Sequence, residues 1–180
     1  MGTLQFRKVT RNVEDIHFEC GKESINEYVR NSYFPMIIQH AYAYSIMKGD
    51  IILGYYQILF REIELTDFPD DISEYSDSIK DGKISSLHIR FIAIDELYQK
   101  KRLGTATLKT IIKDVLELTK QWPIRVITID ATLEHYEWYK KMGFVDMKKN
   151  TPGQDGVSIA MYFDCHRFPS ELNEYIEDMM

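Results

Sequence analysis

The segment Phe91–Leu108 reads FIAIDELYQKKRLGTATL and decides the reading of the rest of the chain. Phe91-Ile92-Ala93-Ile94 is an apolar run of the kind that fills a buried strand. An acidic pair comes next, Asp95-Glu96, and then a basic loop, Tyr98-Gln99-Lys100-Lys101-Arg102-Leu103-Gly104-Thr105, which opens directly into helix-period sequence. Strand, tight loop and helix start in that order form an anion site. The N–H groups ahead of the first helical hydrogen bond and the positive end of the helix dipole both face whatever lies in front of them. The expected ligand carries phosphate.

Working outward, Ile84–Asp95 forms one long central strand. The helix after the loop runs from about Leu103 to Lys120, with Leu108, Ile111, Ile112 and Val115 on one apolar stripe and Lys109, Lys113 and Asp114 outside it. Trp122-Pro123 ends that helix, and Ile124–Ile129 is a second apolar, β-branched strand. Strand, helix and strand in this order imply a right-handed crossover and parallel pairing.

Before this core, Phe6–Val9 reads as a short strand. Val13–Asn31 is broken at Gly21, with a helix near Ile25–Val29 signalled by Ser24 and Glu27. Pro35 closes that part, and Met36-Ile37-Ile38 is too short to assign. Ala41–Met47 and Ile51–Leu65 are strands joined by Lys48-Gly49-Asp50, a hairpin signal, and Gly54 marks a bend or a close backbone approach. Thr66–Lys83 carries Asp67, Asp70, Asp71, Glu74, Asp77 and Asp81 and reads as a solvated acidic loop with a short helix near Asp71–Ser76. Beyond the core, Leu133–Met142 is a second helix stopped by Gly143, and Phe144–Lys148 a strand. Thr151–Gly156 is a turn-rich loop, Val157–Phe163 the last strand, and Ser170–Met180 a helix capped by Ser170.

The chain has 180 residues, enough for one domain with a real core. Apolar residues are 44% and charged residues 28%, which excludes wholesale disorder. No apolar run is long enough to span a bilayer, and the N-terminus lacks the apolar region of a secretory signal. Two distant cysteines, Cys20 and Cys165, point to free thiols in a reducing cytoplasm. A net charge of −6 argues against broad nucleic-acid binding and makes Lys100-Lys101-Arg102 a local exception.

The loop and the chain beyond it resemble the GNAT acetyltransferase superfamily. Gln99-Lys100-Lys101-Arg102-Leu103-Gly104 is similar to that family's Gln/Arg-x-x-Gly-x-Gly/Ala loop, with Arg102 standing where the first glycine falls. Trp138-Tyr139-Lys140-Lys141-Met142-Gly143-Phe144 is similar to its Phe-Tyr-x-Lys-x-Gly-Phe signature. The resemblance is clear over Ser85–Met147. It implies an α/β fold with a central mixed sheet flanked by helices and a splayed parallel strand pair, as one domain over residues 1–180. The implied activity is transfer of an acetyl group from acetyl-CoA to a primary amine in a ternary complex, with no metal.

On that resemblance, backbone groups of Ile92, Ala93 and Ile94 hold the pantetheine arm like an added strand. The loop Gln99, Lys100, Lys101, Arg102, Leu103, Gly104 and Thr105 holds the pyrophosphate. Arg102 is compatible with this role if its backbone is unstrained and its side chain points outward. Tyr139 is the general acid: a phenol of pKa near ~10 returns a proton to the leaving thiolate. The base remains open among Glu62, Glu64, His88, His135 and water. His135 lies one helical turn before Tyr139 and so shares its face.

A weaker resemblance ties Phe18-Glu19-Cys20-Gly21, Ile25-Asn26-Glu27-Tyr28, Gly54-Tyr55-Tyr56 and Arg90 to the GNAT toxins. Those acetylate aminoacyl-tRNA and are held by an antitoxin. The acceptor is thus a small molecule, a peptide or an aminoacyl-tRNA, and the resemblance allows a homodimer or an antitoxin partner. A non-catalytic acyl-CoA-binding module is the competing class, favoured by Arg102. Acceptor-side loops are expected at Val13–Pro35, Thr66–Lys83 and Thr151–Gly156.

Overall fold

A computed structural model of the chain describes residues 4–11, 17–69, 72, 79–148, 151–153 and 156–166. The strands are β1 (Gln5–Lys8), β2 (Tyr42–Lys48), β3 (Ile51–Glu64), β4 (Lys83–Ile94), β5 (Val126–Thr132), β6 (Val145–Asp146), β7 (Thr151–Gly153) and β8 (Gly156–Asp164). The helices are α1 (Glu23–Arg30), α2 (Tyr33–Ile37), α3 (Leu103–Leu118) and α4 (Tyr136–Lys141). One mixed sheet runs in the order β1-β2-β3-β4-β5-β8-β6, with β7 paired to β8. β4 and β5 are its parallel pair, as the strand–helix–strand order predicts, while β1–β2, β2–β3, β5–β8 and β6–β8 are antiparallel.

The chain clusters into two compact units, Met1–Leu59 with Ile89–Ile111 and Phe60–His88 with Ile112–Met180, and β3 and β4 supply residues to both. In the first unit, Val29 of α1 packs with Phe18, Ala43, Tyr55, Phe91 and Ala93. The β2–β3 hairpin closes through Gly49-Asp50, where Gly49 takes φ +61°, a conformation that costs glycine nothing. Ile46 pairs with Gly54 but Met47 with Ile52, so Leu53 is an extra residue, a β-bulge. Its carbonyl accepts the Asp95 N–H at 3.0 Å. Beside the bulge, a Cβ on Gly54 would stand 2.2 Å from the Ala93 carbonyl oxygen. The close backbone approach expected of Gly54 is therefore made with the strand that leads into the basic loop.

In the second unit, Ile63, Leu65, Phe68, Ile72, Val126, Met147, Ala160 and Tyr162 form the core. This corrects the reading of Thr66–Lys83 as a solvated loop. Leu65–Asp67 is a 3-10 turn, Phe68 is fully buried with its ring edge-on to Tyr162 at 5.0 Å, and Ile72 is buried. The apolar residues Leu65, Phe68 and Ile72 pin the acidic segment to the sheet. Most of the short helix expected near Asp71–Ser76, and the helix Ser170–Met180, fall outside the described residues.

Other boundaries also move. Pro35 does not end an element; it lies in the first turn of α2, where its missing N–H costs no hydrogen bond. α1 begins at Glu23, and Lys22 stands where Ser24 was expected to cap; its carbonyl accepts from Ile25 and Asn26, both at 3.0 Å. Leu133–Met142 is helical only over Tyr136–Lys141, and the strand Phe144–Lys148 contracts to Val145–Asp146. Thr151–Gly153 pairs with β8 instead of looping freely.

Replacing Gly54 by Ala forces a methyl into the Ala93 carbonyl and is expected to lower stability by about 1–3 kcal/mol. Urea unfolding checks this, and an unchanged midpoint would contradict the close packing.

Candidate functional site

The first unit holds the strand end, the loop and the helix start as one continuous piece. Ile92, Ala93 and Ile94 close β4. The Asp95 carboxylate caps a 3-10 turn, Glu96–Tyr98, by accepting the Leu97 N–H at 3.0 Å. Gln99 is extended, and the chain then enters the left-handed region at Lys100 and again at Arg102, both at φ +60°. Of the two conditions set for Arg102, an unstrained backbone is not met, while the side chain is exposed. The position takes the backbone that glycine adopts freely, and each non-glycine residue there costs about 1–2 kcal/mol.

Left-handed Arg102 followed by helical Leu103 turns successive N–H groups toward one side, a concavity that binds anions. The first helical rung runs from the Ala106 N–H to the Arg102 carbonyl at 3.0 Å, so the Leu103 and Gly104 N–H groups precede it. A Cβ built on Gly104 meets nothing within 4 Å, so the helix start opens onto free space. The residues present thus fit a phosphate: donors, positive dipole end and room coincide.

The side chains of the loop divide their work. The Gln99 amide nitrogen donates to the Ile94 carbonyl at 2.9 Å and the Cys20 carbonyl at 3.0 Å, so this end of the side chain ties the loop down. The Lys101 ammonium donates to the Leu97 carbonyl at 3.0 Å and sits 5.3 Å from the Tyr98 ring centroid. Lys100 and Arg102 are exposed. In the same unit the Arg90 guanidinium donates to Gln57 at 3.0 Å, lies 3.3 Å from His40 Nε2, and sits 5.7 Å from the Tyr28 ring centroid.

In the second unit Tyr139 is held by the end of its own helix. Gly143 takes φ +86°, its N–H donates to the Lys140 carbonyl at 3.0 Å, and the Phe144 N–H donates to the Tyr139 carbonyl at 3.1 Å. These two bonds are a Schellman cap, whose usual companion is an apolar contact between the residues it brings together. Here that contact is Tyr139 against Phe144, ring centroids 5.6 Å apart and edge to face. The spacing Tyr139-x-x-x-Gly143-Phe144 is therefore a cap geometry as well as a signature. Phe144 continues to Phe163 at 5.8 Å, and Phe163 stands opposite Ile127 on β5. Burial alone pushes the Tyr139 phenol well above the ordinary tyrosine range, which keeps it protonated at neutral pH.

The other face of β5 carries Thr128 and Asp130, because successive strand residues alternate. His88 Nδ1 lies 3.1 Å from Thr128 Oγ1, and the Arg61 guanidinium donates to the same oxygen at 3.4 Å. His88 Nε2 stands 3.8 Å from Asp130 Oδ2, beyond hydrogen-bond reach. His88 is 6% exposed. Asp130 Oδ1 is buried and finds no hydrogen-bond partner among the described residues. Burial raises the Asp130 carboxyl pKa, opposed by the Arg61 charge.

The remaining base candidates are less enclosed. Glu62 is exposed, Glu64 faces Lys83 at 3.7 Å, and His135 hydrogen-bonds Thr132 at 3.0 Å ahead of α4. Sequence reasoning missed Thr128, Asp130 and Arg61, whose meeting depends on strand register. Among the described residues no group of His, Cys, Asp and Glu is suited to hold a metal ion, and no helix is long and apolar enough to cross a membrane.

No protein-family model and no curated protein matches the chain. Solved structures do. A tyrosine-to-phenylalanine mutant of KacT aligns with TM-score 0.75 at 17% identity, over 98% of this chain and 99% of that one. AtaT complexed with acetyl-methionyl-tRNAfMet aligns with TM-score 0.71 at 18% identity, over 97% and 99%. AtaTR bound with AcCoA aligns with TM-score 0.69 at 20% identity, over 90% and 94%. AtaT is a toxin, and the mixed sheet with its parallel pair is the GNAT fold that the sequence resemblance implies.

A carboxyl whose pKa is raised on folding stabilises the protein below its unfolded pKa, and that contribution is lost as pH rises through the folded value. Asp130→Asn removes the titration. Its melting temperature relative to wild type is therefore expected to improve as pH rises above the ordinary aspartate pKa of about 3.9, whereas a difference that does not vary with pH would contradict the raised pKa of Asp130.

Proposed function

We propose that this chain is an acetyl-CoA-dependent N-acetyltransferase acting on a primary amine. The observation that carries the reading is the loop: left-handed backbone at Lys100 and Arg102 feeding a helix start with open space at Gly104. Arg102 keeps the glycine conformation in spite of its side chain, which is what a phosphate-binding loop requires of that position. The comparison structure of AtaTR with AcCoA supports the choice of ligand.

In this reading the Leu103 and Gly104 N–H groups bind the diphosphate, with the Lys100 and Arg102 charges beside it. The backbone of Ile92, Ala93 and Ile94 binds the pantetheine amides. The bound thioester supplies an activated acetyl carbon. Attack by the neutral amine forms the C–N bond and breaks the C–S bond. Tyr139 gives its phenolic proton to the departing sulfur. A buried phenol is a weak acid, but burial raises a thiol's pKa in the same way, so donor and acceptor stay matched. The amine's surplus proton goes to His88, the most enclosed of the candidate bases.

Acetyl-CoA with a panel of amines, read by thiol release, tests the activity. Binding without turnover on any amine would favour a non-catalytic acyl-CoA module, and no binding would end both readings. Tyr139→Phe is expected to lower kcat by about 10²–10⁴-fold while leaving acetyl-CoA affinity within about twofold; full activity would remove Tyr139 from the chemistry. KacT and AtaT have themselves been solved as tyrosine-to-phenylalanine mutants.

A specific observation favours one acceptor. AtaT, which spans nearly all of this chain, was solved with acetyl-methionyl-tRNAfMet. We read the acceptor as the amino group of an aminoacyl-tRNA, against the net charge of −6. On that reading the purified protein stops cell-free translation only when acetyl-CoA is present. Translation that proceeds unaffected would leave the smaller amines.

A further inference from the structure

The loop is held in place by a segment far away in sequence. The Glu96 N–H donates to the Glu19 carbonyl at 2.9 Å, and the Gln99 amide nitrogen donates to the Cys20 carbonyl at 3.0 Å. Glu19 returns a bond through its own N–H to the Asp95 carboxylate at 3.4 Å. Gly21 comes next at φ +84°, a conformation that glycine takes freely, with the end of the Glu96 side chain beside it.

The Glu19–Gly21 turn is shaped in turn by Asn26. Its side-chain oxygen accepts the Cys20 N–H at 3.0 Å, and its nitrogen donates to Glu19 Oε1 at 2.6 Å and Glu23 Oε2 at 3.3 Å. Glu19 Oε1 also accepts the Gly21 N–H at 2.8 Å. Asn26 is 1% exposed, in the first helix, and uses both ends of its amide. An alanine there would strand the Cys20 N–H and release Glu19, freeing the two carbonyls that fix Glu96 and Gln99.

We propose that Asn26 is a positioning residue for the phosphate loop: through the Glu19–Gly21 turn it holds Gln99, and so keeps Lys100 and Arg102 in the backbone that faces N–H groups to a diphosphate. Gln99 bridges the Cys20 and Ile94 carbonyls with one nitrogen, so a shift of the Glu19–Gly21 turn removes one of its two side-chain anchors. Asn26 itself touches no part of the ligand. It gives the element Phe18-Glu19-Cys20-Gly21 with Ile25-Asn26 a physical purpose: it clamps the loop, and the glycine is there because the turn takes φ +84°.

The inference rests on the reading of the loop as the acetyl-CoA phosphate site, and the test separates the two. Calorimetric titration measures acetyl-CoA and S-acetylpantetheine, which lacks the phosphates, on the full chain and on Asn26→Ala. The expected result is an acetyl-CoA Kd about tenfold weaker in the variant with S-acetylpantetheine affinity unchanged. Glu19→Ala, which removes an exposed carboxylate that accepts from Asn26 and the Gly21 N–H, is expected to act in the same direction by about twofold to fivefold. Asp164→Asn, which breaks the 2.8 Å pair with Arg125 in the other unit, should leave acetyl-CoA affinity alone. Wild-type binding with equal affinity in Asn26→Ala and Glu19→Ala overturns the inference alone, as does an equal loss for both ligands. Failure of wild type to bind acetyl-CoA overturns the site itself and the inference with it.

Discussion

Left-handed backbone at Lys100 and Arg102 is the constraint on which the candidate phosphate loop depends. A chain of L-residues enters that region only when its surroundings compensate for the cost. Here the compensation is visible on both sides. Gln99 is tied to the end of β4 and to Cys20, and the helix begins immediately after Arg102. Further back, the β4 backbone is set by its contact with Gly54 and by the Leu53 bulge that receives the Asp95 N–H. A glycine at position 102 would relieve the strain and loosen the unfolded chain as well. The arginine trades that ease for a positive charge at the mouth of the helix.

The charges around the loop do not all favour an anion. Asp95, Glu96 and Glu19 lie within the same hydrogen-bonded assembly as Lys100, Lys101 and Arg102. Two of these acids are engaged: Asp95 accepts from Leu97 and Glu19, and the Glu19 carboxyl is held below its ordinary range by the Asn26 hydrogen bond, with the Gly21 N–H adding to it. Directed N–H groups at close range, where each charge-assisted bond is strong, outweigh screened side-chain repulsion at the surface.

Much of this was legible in the sequence because it rests on local rules. The strand–loop–helix order of Phe91–Leu108, the apolar stripe Leu108, Ile111, Ile112 and Val115, the hairpin at Gly49 and the helix stop at Gly143 each follow from periodicity or from a positive φ. Gly54 announced a close approach without naming its partner. What remained hidden depends on register between distant segments. Thr128 and Asp130 meet His88 only because β4 and β5 pair in parallel, and Arg61 joins them from β3. Phe68 and Ile72 were masked by the acids around them. The arrangement of Asn26 under the loop requires knowing that Glu19 and Glu96 are neighbours, which no local pattern tells.

The most direct test of the phosphate loop is an amide NMR titration of the ¹⁵N-labelled chain with acetyl-CoA. The largest shifts are predicted to fall on the N–H groups of Arg102, Leu103 and Gly104, with smaller ones along Ile92–Ile94. Saturable binding that leaves those three amides in place would contradict this, because the loop would then not be where the phosphates sit.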